Sequence, residues 1–301
     1  MTTPAEQYAA AKKCGKHPLT IQFIEQFDFG FDDFQISACQ AVEDGKGVLV
    51  AAPTGAGKTV VGEFAAFSAL AQGKKCFYTT PIKALSNQKF QEFVDRFGED
   101  RVGLLTGDTN INSEADVLVM TTEVLRNMLY ANSSTLKNLG SVVMDEVHYL
   151  ADKSRGAVWE EVLIHLMESV QVISLSATVS NAEEFGDWLG EVRGATEVIV
   201  SEVRPIPLYQ HVLIGDRLVD LFREQGRINP EILGLEREAL RQVRTPRHRR
   251  ERFGDGDSRL TRPDIIEKLQ RENLLPAITF IFSRAGCDAA VKQCLAAGIK
   301  L

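Results

Sequence analysis

The stretch from Val48 to Phe64, "VLVAAPTGAGKTVVGEF", decides the fold of this chain. A run of apolar residues leads into a turn of small residues that contains two glycines, and Lys58 and Thr59 follow directly. A buried strand that ends in a glycine-bearing turn before a helix is the context of a phosphate-binding loop. The sequence therefore predicts a strand, a phosphate-binding loop and a helix at this point.

Each part of this loop has a chemical task. Backbone N–H groups can wrap a β-phosphate, and the N terminus of the next helix attracts its negative charge. The Lys58 ammonium is expected to reach β- and γ-phosphate oxygens, and the Thr59 hydroxyl to bind Mg²⁺. The common pattern begins with glycine where this chain has Ala52, and a chance glycine turn is the alternative. The predicted nucleotide-binding residues of the loop are Ala52, Pro53, Thr54, Gly55, Ala56, Gly57, Lys58 and Thr59.

Composition places the chain among ordinary globular proteins. Hydrophobic residues make up 44% of its 301 residues and charged residues 25%, as in typical soluble domains. The formal net charge is −7, so nucleic acid would have to bind in a local groove and not on a globally basic surface. The first residues lack the apolar core of a secretory signal, and no apolar run approaches the ~18 residues of a membrane span. We therefore expect no membrane association.

The five cysteines are widely spaced and contain no CxxC pair. This spacing favours a reducing compartment and argues against a zinc site or a disulfide framework. We therefore expect a cytoplasmic protein.

Short apolar runs alternate with longer amphipathic stretches up to about residue 200. Strands that are apolar on both faces and separated by helices predict an α/β fold, with a parallel sheet covered by helices on both sides. The predicted strands are Val48–Ala52, Lys75–Thr80, Val102–Thr106, Asp116–Thr121, Ser141–Glu146, Val172–Ala177 and Thr196–Val200. The predicted helices are Thr59–Gln72, Ile82–Phe97, Glu123–Ala131, Val158–Ser169 and Ala182–Leu189. Ligands of such sheets bind at the carboxyl ends of the strands.

The pattern changes after about Ser201. Residues 204–214, "RPIPLYQHVLI", predict an extended connector, and Arg241–Arg262 contains eight arginines. A solvated insertion is the simpler interpretation of the arginine-rich segment, and an RNA-contacting tail is the other.

A new α/β pattern begins near residue 276. A buried strand at Ile278–Ser283 and a helix at Arg284–Ala297 predict the first unit of a second α/β domain. The predicted division is an N-terminal extension at 1–19, a first domain at 20–200, a connector at 201–275 and the beginning of a second domain at 276–301.

A second polar signature closes the predicted strand Ser141–Glu146. Asp145 could hold Mg²⁺ through water, and Glu146 could orient and deprotonate an attacking water. An acidic cap on the next turn is the alternative for this pair alone. The phosphate-binding loop upstream favours the catalytic interpretation.

Other small and polar residues are candidates for contacts with this acidic pair. His148 suits a role that couples the nucleotide to a neighbouring strand, or it is a surface histidine. Ser176, Ala177 and Thr178 follow another predicted strand. They could hydrogen-bond the Asp145–His148 corner or simply begin a turn.

Three signatures in this order, APTGAGKT, DEVH and SAT, resemble motifs I, II and III of the superfamily-two helicases. Longer stretches are similar to the Ski-like DEVH-box RNA helicases within that superfamily. They are "YTTPIKALSNQKF" (78–90), "LLTGDTNINSEADVLVMTTEVLRNMLY" (104–130), "DEVHYLADKSRGAVWEE" (145–161), "LSATVSNAEEFGDWLG" (175–190) and "FIFSRAGCDAA" (280–290). The resemblance covers most of residues 20–200 and resumes near 275. It implies a RecA-like first domain and the start of a second one.

By this resemblance, "FGFDDFQ" at residues 29–35 is the adenine-recognition motif. Gln35 would read the adenine edge through its amide. Phe29 or Phe31 would pack on the base, although a place in the core is the alternative for both rings.

The resemblance also implies nucleic-acid contacts at strand ends and helix starts. Backbone N–H groups and hydroxyls there suit phosphodiester oxygens, which gives grip without sequence readout. The residues are Thr80, Pro81, Lys83, Thr106, Gly107, Asp108, Thr122, Glu123 and Arg126. Helix capping by Thr122 and Ser86 is the alternative for those two residues.

The resemblance implies an enzyme that hydrolyses ATP with Mg²⁺ and moves along single-stranded nucleic acid, with RNA preferred to DNA and RNA-degradation machinery as a partner. Lys58, Asp145, Glu146 and His148 would be its catalytic residues. A DNA-repair helicase and a nucleotide-gated RNA-binding module without unwinding remain open. The arginine finger of the family lies beyond the matching stretch, so we expect an N-terminal fragment that hydrolyses ATP weakly.

Overall fold

A computed structural model describes residues 16–152, 156–177, 182–223, 226–243 and 260–299. The chain divides into two compact units, one that extends to Ile206 and one that begins at Pro207. Among the helices of these ranges, none is long and apolar enough to cross a membrane. The finer division into domains stays a prediction.

The first unit is built on an eight-stranded sheet. Its strands are β1 (Gly47–Ala51), β2 (Lys75–Thr80), β3 (Val102–Leu105), β4 (Asn110–Ile111), β5 (Val117–Thr121), β6 (Leu139–Met144), β7 (Gln171–Ser176) and β8 (Thr196–Val200). Their order is β4-β3-β5-β2-β6-β7-β1-β8. Every neighbouring pair is parallel except β3 and β4. The carboxyl ends of the parallel strands therefore lie along one edge of the sheet.

In the described residues, seven α-helices accompany this sheet. They are α1 (Pro18–Ile24), α2 (Asp33–Glu43), α3 (Thr59–Ala71), α4 (Lys83–Phe97), α5 (Thr122–Tyr130), α6 (Gly156–His165) and α7 (Ala182–Arg193). Alternate strand residues pack against opposite groups of helices. In β1, Val48 and Val50 join a core cluster with α1–α4, whereas Leu49 joins a second cluster with α5–α7. Both faces of the sheet are thus buried, as parallel sheets require.

The predicted parallel sheet with helices on both faces is confirmed. Each predicted strand between residues 48 and 200 is present, with ends within two residues of the prediction. Two helices have different lengths, because α6 ends at His165 and α7 continues to Arg193. The Arg193 guanidinium donates hydrogen bonds to the carbonyls of Leu166 at 2.7 Å and Val170 at 2.9 Å. Arg193, in the last turn of α7, thus satisfies backbone carbonyls that follow the end of α6. These bonds favour the continuation of α7 to Arg193.

The sequence analysis missed α1 and α2, which precede the phosphate-binding loop. Glu43 at the end of α2 accepts hydrogen bonds from the backbone N–H groups of Leu19 and Thr20, both at 2.9 Å. Its carboxylate therefore satisfies the N terminus of α1. At the start of α2, the Asp32 N–H donates to Gln35 Oε1 at 2.8 Å. The Asp-x-x-Gln spacing was a signal for this helix start.

The described part of the second unit contains a hairpin and three helices. They are β9 (His211–Ile214), β10 (Arg217–Asp220), α8 (Glu231–Val243), α9 (Arg262–Arg271) and α10 (Arg284–Ala296). The predicted extended connector is wrong in its last four residues, because β9 pairs with β10 in an antiparallel ladder. Gly215 has φ +60° in the two-residue turn, and Gly-Asp between two short runs rich in Val, Leu and Ile is a hairpin signal. Most of the arginine-rich segment, residues 244–259, lies outside the described residues.

The predicted buried strand at Ile278–Ser283 is wrong. These residues form no strand, and the side chains of Ile278, Phe280 and Phe282 are 83%, 81% and 105% exposed. The apolar alternation is typical of a strand. A strand needs a neighbouring ladder to satisfy its backbone, and none pairs with these residues in the described part of the chain. The helix that follows is present as α10, one residue shorter than predicted.

Gly62 lets α3 lie close against the sheet. A Cβ atom at this position would lie 2.7 Å from Tyr78 Cε2 and 3.2 Å from Val143 Cγ1. We expect Gly62→Ala to lower the free energy of unfolding by about 1–3 kcal/mol, because overpacking outweighs the gain in helix propensity. Urea denaturation measures this change.

Gly190 provides the matched control, because it lies in α7 where a Cβ atom would meet no atom of the described residues within 4 Å. Here Gly190→Ala should raise the free energy of unfolding by up to about 1 kcal/mol. A Gly62→Ala protein as stable as the Gly190→Ala protein would contradict the close packing of α3.

Candidate nucleotide and nucleic-acid site

The loop between β1 and α3 has the conformation of a phosphate cradle. Gly55 and Gly57 have φ +87° and +81°, values that favour glycine. A Cβ atom on Gly57 would lie 2.6 Å from Gln35 Nε2. Within the described residues, the N–H groups of Gly55, Gly57 and Lys58 have no hydrogen-bond acceptor. These donors stand at the N terminus of α3, where an anion is favoured.

Lys58 joins this loop to the acidic pair. Its Nζ donates hydrogen bonds to the carbonyls of Ala52 at 2.8 Å and Pro53 at 3.1 Å. Burial lowers the pKa of Lys58, and the charges of Glu146 and Asp145 act in the opposite direction. The two carbonyl bonds therefore hold the ammonium inside the loop.

Asp145 and Glu146 follow β6 directly. Glu146 has φ +54° and ψ 42°, a left-handed conformation that costs a non-glycine residue about 1–3 kcal/mol. Its N–H donates to Asp145 Oδ1 at 2.9 Å. Burial and then the charge of Asp145 raise the pKa of Glu146, while His148, Lys58 and Lys89 act against this rise. His148 Nδ1 lies 3.3 Å from Glu146 Oε2, in ion-pair range.

The third signature follows β7, which lies between β6 and β1. The Ser176 carbonyl accepts a hydrogen bond from the Ala52 N–H at 3.2 Å. The buried Ser176 hydroxyl has no hydrogen-bond partner within the described ranges. Ser176 thus bonds to the phosphate-binding loop and not to the Asp145–His148 corner. Ala177 follows, half-buried, and Thr178 lies outside the described residues.

The donor set fits Mg²⁺. Thr59 and Asp145 offer only hard oxygen ligands, and Mg²⁺ bound to a nucleotide needs few protein ligands beside water and phosphate. Each Asp145 oxygen accepts one hydrogen bond, from Glu146 N–H and from the Tyr78 hydroxyl, and keeps a further lone pair. The Thr59 hydroxyl accepts from Lys89 Nζ at 3.2 Å, which leaves its second lone pair for a cation.

The predicted adenine motif lies beside the same loop. Gln35 is buried, its Oε1 accepts from the Asp32 N–H, and its Nε2 donates to the Gly57 carbonyl at 3.0 Å. Its amide therefore fastens the start of α2 to the loop. Phe29 is 55% exposed and stacks on Phe31, with centroids 5.7 Å apart. Phe29 thus presents a free aromatic face, and its contact with adenine stays a prediction.

The predicted nucleic-acid residues divide into buried and exposed groups. Thr80 and Thr122 are fully buried. Thr80 Oγ1 lies 2.7 Å from Ser86 Oγ, and Thr122 Oγ1 donates to the Thr80 carbonyl at 3.3 Å. These hydroxyls join β2, α4 and α5. The N-cap residues of α4 and α5 are Ile82 and Thr121, so helix capping by Ser86 and Thr122 is wrong.

The exposed group can contact a ligand from solution. Lys83 Nζ lies 2.6 Å from Asp108 Oδ2, and the Thr106 hydroxyl donates to Asp108 Oδ1 at 3.1 Å. The Lys83 hydrogen bond holds the pKa of Asp108 below its usual value. Gly107 is exposed, whereas Pro81 is buried. Lys83, Gly107 and Asp108 therefore form one exposed polar surface after β2 and β3, and the buried Thr106 supports it through its bond to Asp108.

Arg126 and Glu123 lie on the first turns of α5 and are partly exposed. Arg126 Nη1 lies 3.7 Å from Glu161 Oε2. This distance is that of a loose surface ion pair, which contributes little to stability. The guanidinium could exchange this partner for a phosphodiester group at small cost.

Two residues near the acidic pair were missed by the sequence analysis. The Tyr78 hydroxyl donates to Asp145 Oδ2 at 2.7 Å, and Lys89 Nζ donates to Thr59 Oγ1. Burial raises the pKa of Tyr78 well above its usual value, and Asp145 adds to this rise. An aromatic residue in an apolar strand indicates core packing, and a lysine in an amphipathic helix indicates solvent. Neither pattern revealed a polar contact with the site.

A family model described as "DEAD/DEAH box helicase" matches residues 32–185. This match covers half of the chain and includes the loop, the acidic pair and the exposed polar surface. The chain belongs to this family. Family membership implies the use of ATP. The sequence-based prediction of a RecA-like helicase domain is confirmed.

Relatives within the family span much longer chains. "Probable helicase HelY" of Mycobacterium leprae is 56% identical over 294 residues, which are 93% of this chain and 32% of the relative. "DExH-box ATP-dependent RNA helicase DExH15 chloroplastic" of Arabidopsis thaliana is 43% identical over 310 residues, 90% of this chain and 26% of the relative. This helicase-family chain therefore corresponds to about a third of the length of HelY, and the predicted similarity to Ski-like helicases is confirmed.

A solved structure shows the same fold. The crystal structure of the DUF1998 helicase MrfA bound to DNA has a TM-score of 0.51 and 20% identity, and the match covers 61% of this chain and 29% of MrfA. At this identity the likeness concerns the fold alone.

The raised pKa of Glu146 predicts a pH-dependent effect on stability. The native state binds this proton more tightly than the unfolded state, so the contribution of Glu146 is full below the unfolded pKa of about 4.3. That contribution is lost as the pH rises through the higher pKa of the folded state. We expect Glu146→Gln to unfold at a higher urea concentration than the wild type at pH 8, with the gain shrinking toward pH 4.

Glu191→Gln is the control for this experiment, because Glu191 is exposed on α7. Its unfolding midpoint should follow the wild type at each pH. A Glu146→Gln protein that is no more stable than the wild type at pH 8 would show that burial does not disfavour the Glu146 carboxylate.

Proposed function

We propose that the chain carries the ATP-binding half of an ATP-dependent helicase that moves along single-stranded nucleic acid, with RNA as its strand. One observation carries this proposal. The phosphate-binding loop follows β1 and the acidic pair follows β6, and these two parallel strands flank β7, so both signatures stand at the same edge of the sheet. A phosphate-binding loop facing an acidic pair is the arrangement that phosphoryl transfer to water needs.

Each residue has a role in this scheme. The N–H groups of the loop and Lys58 hold the phosphate oxygens, and Phe29 packs on the adenine. Thr59 and Asp145 hold Mg²⁺, which supplies positive charge against the phosphate oxygens when bound. Glu146 orients a water and accepts its proton. Burial raises the pKa of Glu146, which makes this carboxylate a better proton acceptor than an exposed one.

His148 has a supporting role in the scheme. It lies in ion-pair range of Glu146, so it can hold the carboxylate in its position. Ser176 and Ala177 lie at the end of β7, the strand between β6 and β1. We assign to these residues the role of coupling the nucleotide to the neighbouring strand end. This assignment rests on their position alone.

The exposed polar surface supports strand binding. Lys83, residues 106–108 and Arg126 lie at the ends of β2, β3 and β5, which are neighbours in the sheet. The charged groups and loop N–H groups there suit the phosphodiester backbone, which they would grip without reading sequence. Because Thr80 and Thr122 are buried, their hydroxyls support this surface from below and do not contact the strand.

The names of the relatives favour RNA over DNA as the bound strand. The Arabidopsis relative, at 43% identity, is named an RNA helicase, whereas the DNA-bound MrfA structure shares only 20% identity. A DNA helicase is the second candidate. RNA-degradation machinery as a partner and a cytoplasmic location stay predictions.

ATP binding by this chain tests the first half of the proposal. We expect Lys58→Ala to weaken the binding of a fluorescent ATP analogue roughly tenfold to a hundredfold, because a charge-assisted hydrogen bond to phosphate is lost. Lys46, at the opposite end of β1, pairs with Glu197 on the surface. Lys46→Ala should bind the analogue as the wild type does, and equal affinity of both variants would overturn the proposed site.

Strand binding tests the second half. We expect Arg126→Ala to weaken binding of single-stranded RNA to a similar degree for all RNA sequences. The slope of the logarithm of the association constant against the logarithm of the salt concentration should fall in magnitude by about one. Arg101, at the other end of β3, is exposed, and Arg101→Ala should leave both quantities unchanged. Fluorescence anisotropy with RNA and DNA of equal sequence measures this. Tighter binding of DNA than of RNA would favour the second candidate.

A further inference from the structure

Tyr78 is a buried polar residue that the scheme above does not use. It lies in β2 and pairs with Val143 of β6. Val143 precedes Asp145 by two residues. Its side chain is fully buried, yet its hydroxyl reaches the nucleotide site and donates to Asp145 Oδ2 at 2.7 Å. This contact joins two strands at the carboxyl edge of the sheet.

The ring of Tyr78 is held firmly. It packs edge-on against Phe93 of α4, with centroids 5.1 Å apart and an interplanar angle of 88°. On its other side lies Gly62 of α3, where even a methyl group would approach Tyr78 Cε2 to 2.7 Å. A ring so enclosed cannot turn its hydroxyl elsewhere without moving two helices. The direction of its hydrogen bond is therefore set by the packing of the core.

Asp145 is held at three points. Tyr78 bonds Oδ2, the Glu146 N–H bonds Oδ1 at 2.9 Å, and the Asp145 N–H donates to the Thr79 carbonyl at 2.9 Å. Two of these three bonds come from consecutive residues of β2. Within the described residues, only the bond from Tyr78 involves another side chain. This hydroxyl is thus the group that fixes the carboxylate plane against the sheet.

We propose that Tyr78 is a positioning residue of the nucleotide site, which orients the Asp145 carboxylate for Mg²⁺ through a single hydrogen bond. The inference rests on the proposed function. Groups that hydrogen-bond a metal-binding carboxylate fix its orientation and thereby raise the affinity of the site. The phenol is fully buried and its hydroxyl donates to Asp145, so its effect on Mg²⁺ passes through Asp145.

The test uses Tyr78→Phe, which removes the hydroxyl and keeps the ring in its packing. The measurement is binding of a fluorescent ATP analogue at increasing Mg²⁺ concentration. We expect the Mg²⁺ concentration for half-maximal binding to rise roughly tenfold, with unchanged affinity for the analogue in EDTA. A residue that only stabilised the fold would lower the unfolding midpoint and leave the Mg²⁺ dependence unchanged.

Two further variants sharpen this test. Tyr209 is 79% exposed in the second unit, and Tyr209→Phe should titrate with Mg²⁺ as the wild type does. In an Asp145→Asn background, Tyr78→Phe should change the Mg²⁺ requirement by less than about twofold, because the two residues act as one unit. Additive effects of the two substitutions would overturn the inference.

The outcomes separate the inference from the function on which it rests. If the wild type binds the analogue with Mg²⁺ and Tyr78→Phe gives the same titration curve, the role of Tyr78 is refuted and the proposed function stands. A wild type whose binding does not depend on Mg²⁺ would refute both.

Discussion

The parallel order β6-β7-β1 is the constraint on which the site depends, because it brings Lys58, after β1, to the same edge of the sheet as Asp145 and Glu146, after β6. The three groups come from opposite ends of the sheet order β6-β7-β1, and only a parallel sheet brings their strand ends to one edge. Burial works against all such charges. It lowers the pKa of Lys58 and raises that of Glu146, and the opposite charge of each group acts against the shift of the other.

The same edge divides into two functional halves that meet between β2 and β6. The strands β6, β7 and β1 end in the nucleotide site, and β3, β5 and β2 end in the exposed polar surface. At the boundary, β2 contributes Tyr78 and Thr79 to Asp145, and the next residue, Thr80, bonds to Ser86 and Thr122. Three consecutive residues thus connect the two halves, so a shift of Asp145 cannot occur independently of this strand.

Local packing also explains why small residues stand where the site is most crowded. Gly62 lets the Tyr78 ring fit beneath α3, and Gly57 leaves room for the Gln35 amide. Gln35 itself closes the start of α2 and holds the loop through the Gly57 carbonyl. The elements before β1 are therefore part of the nucleotide site and not an addition to it.

The sequence by itself determined the parallel sheet, seven of its eight strands and the family, because apolar periodicity and the spacing of short motifs are local signals. It did not predict the short antiparallel strand β4. It did not predict the β9–β10 hairpin, and it wrongly predicted a strand at Ile278–Ser283, since a strand exists only where another strand pairs with it. Tertiary structure alone decided that Thr80 and Thr122 are buried and that the Tyr78 hydroxyl meets Asp145. Burial and hydrogen-bond partners depend on residues far apart in the chain, which no local pattern records.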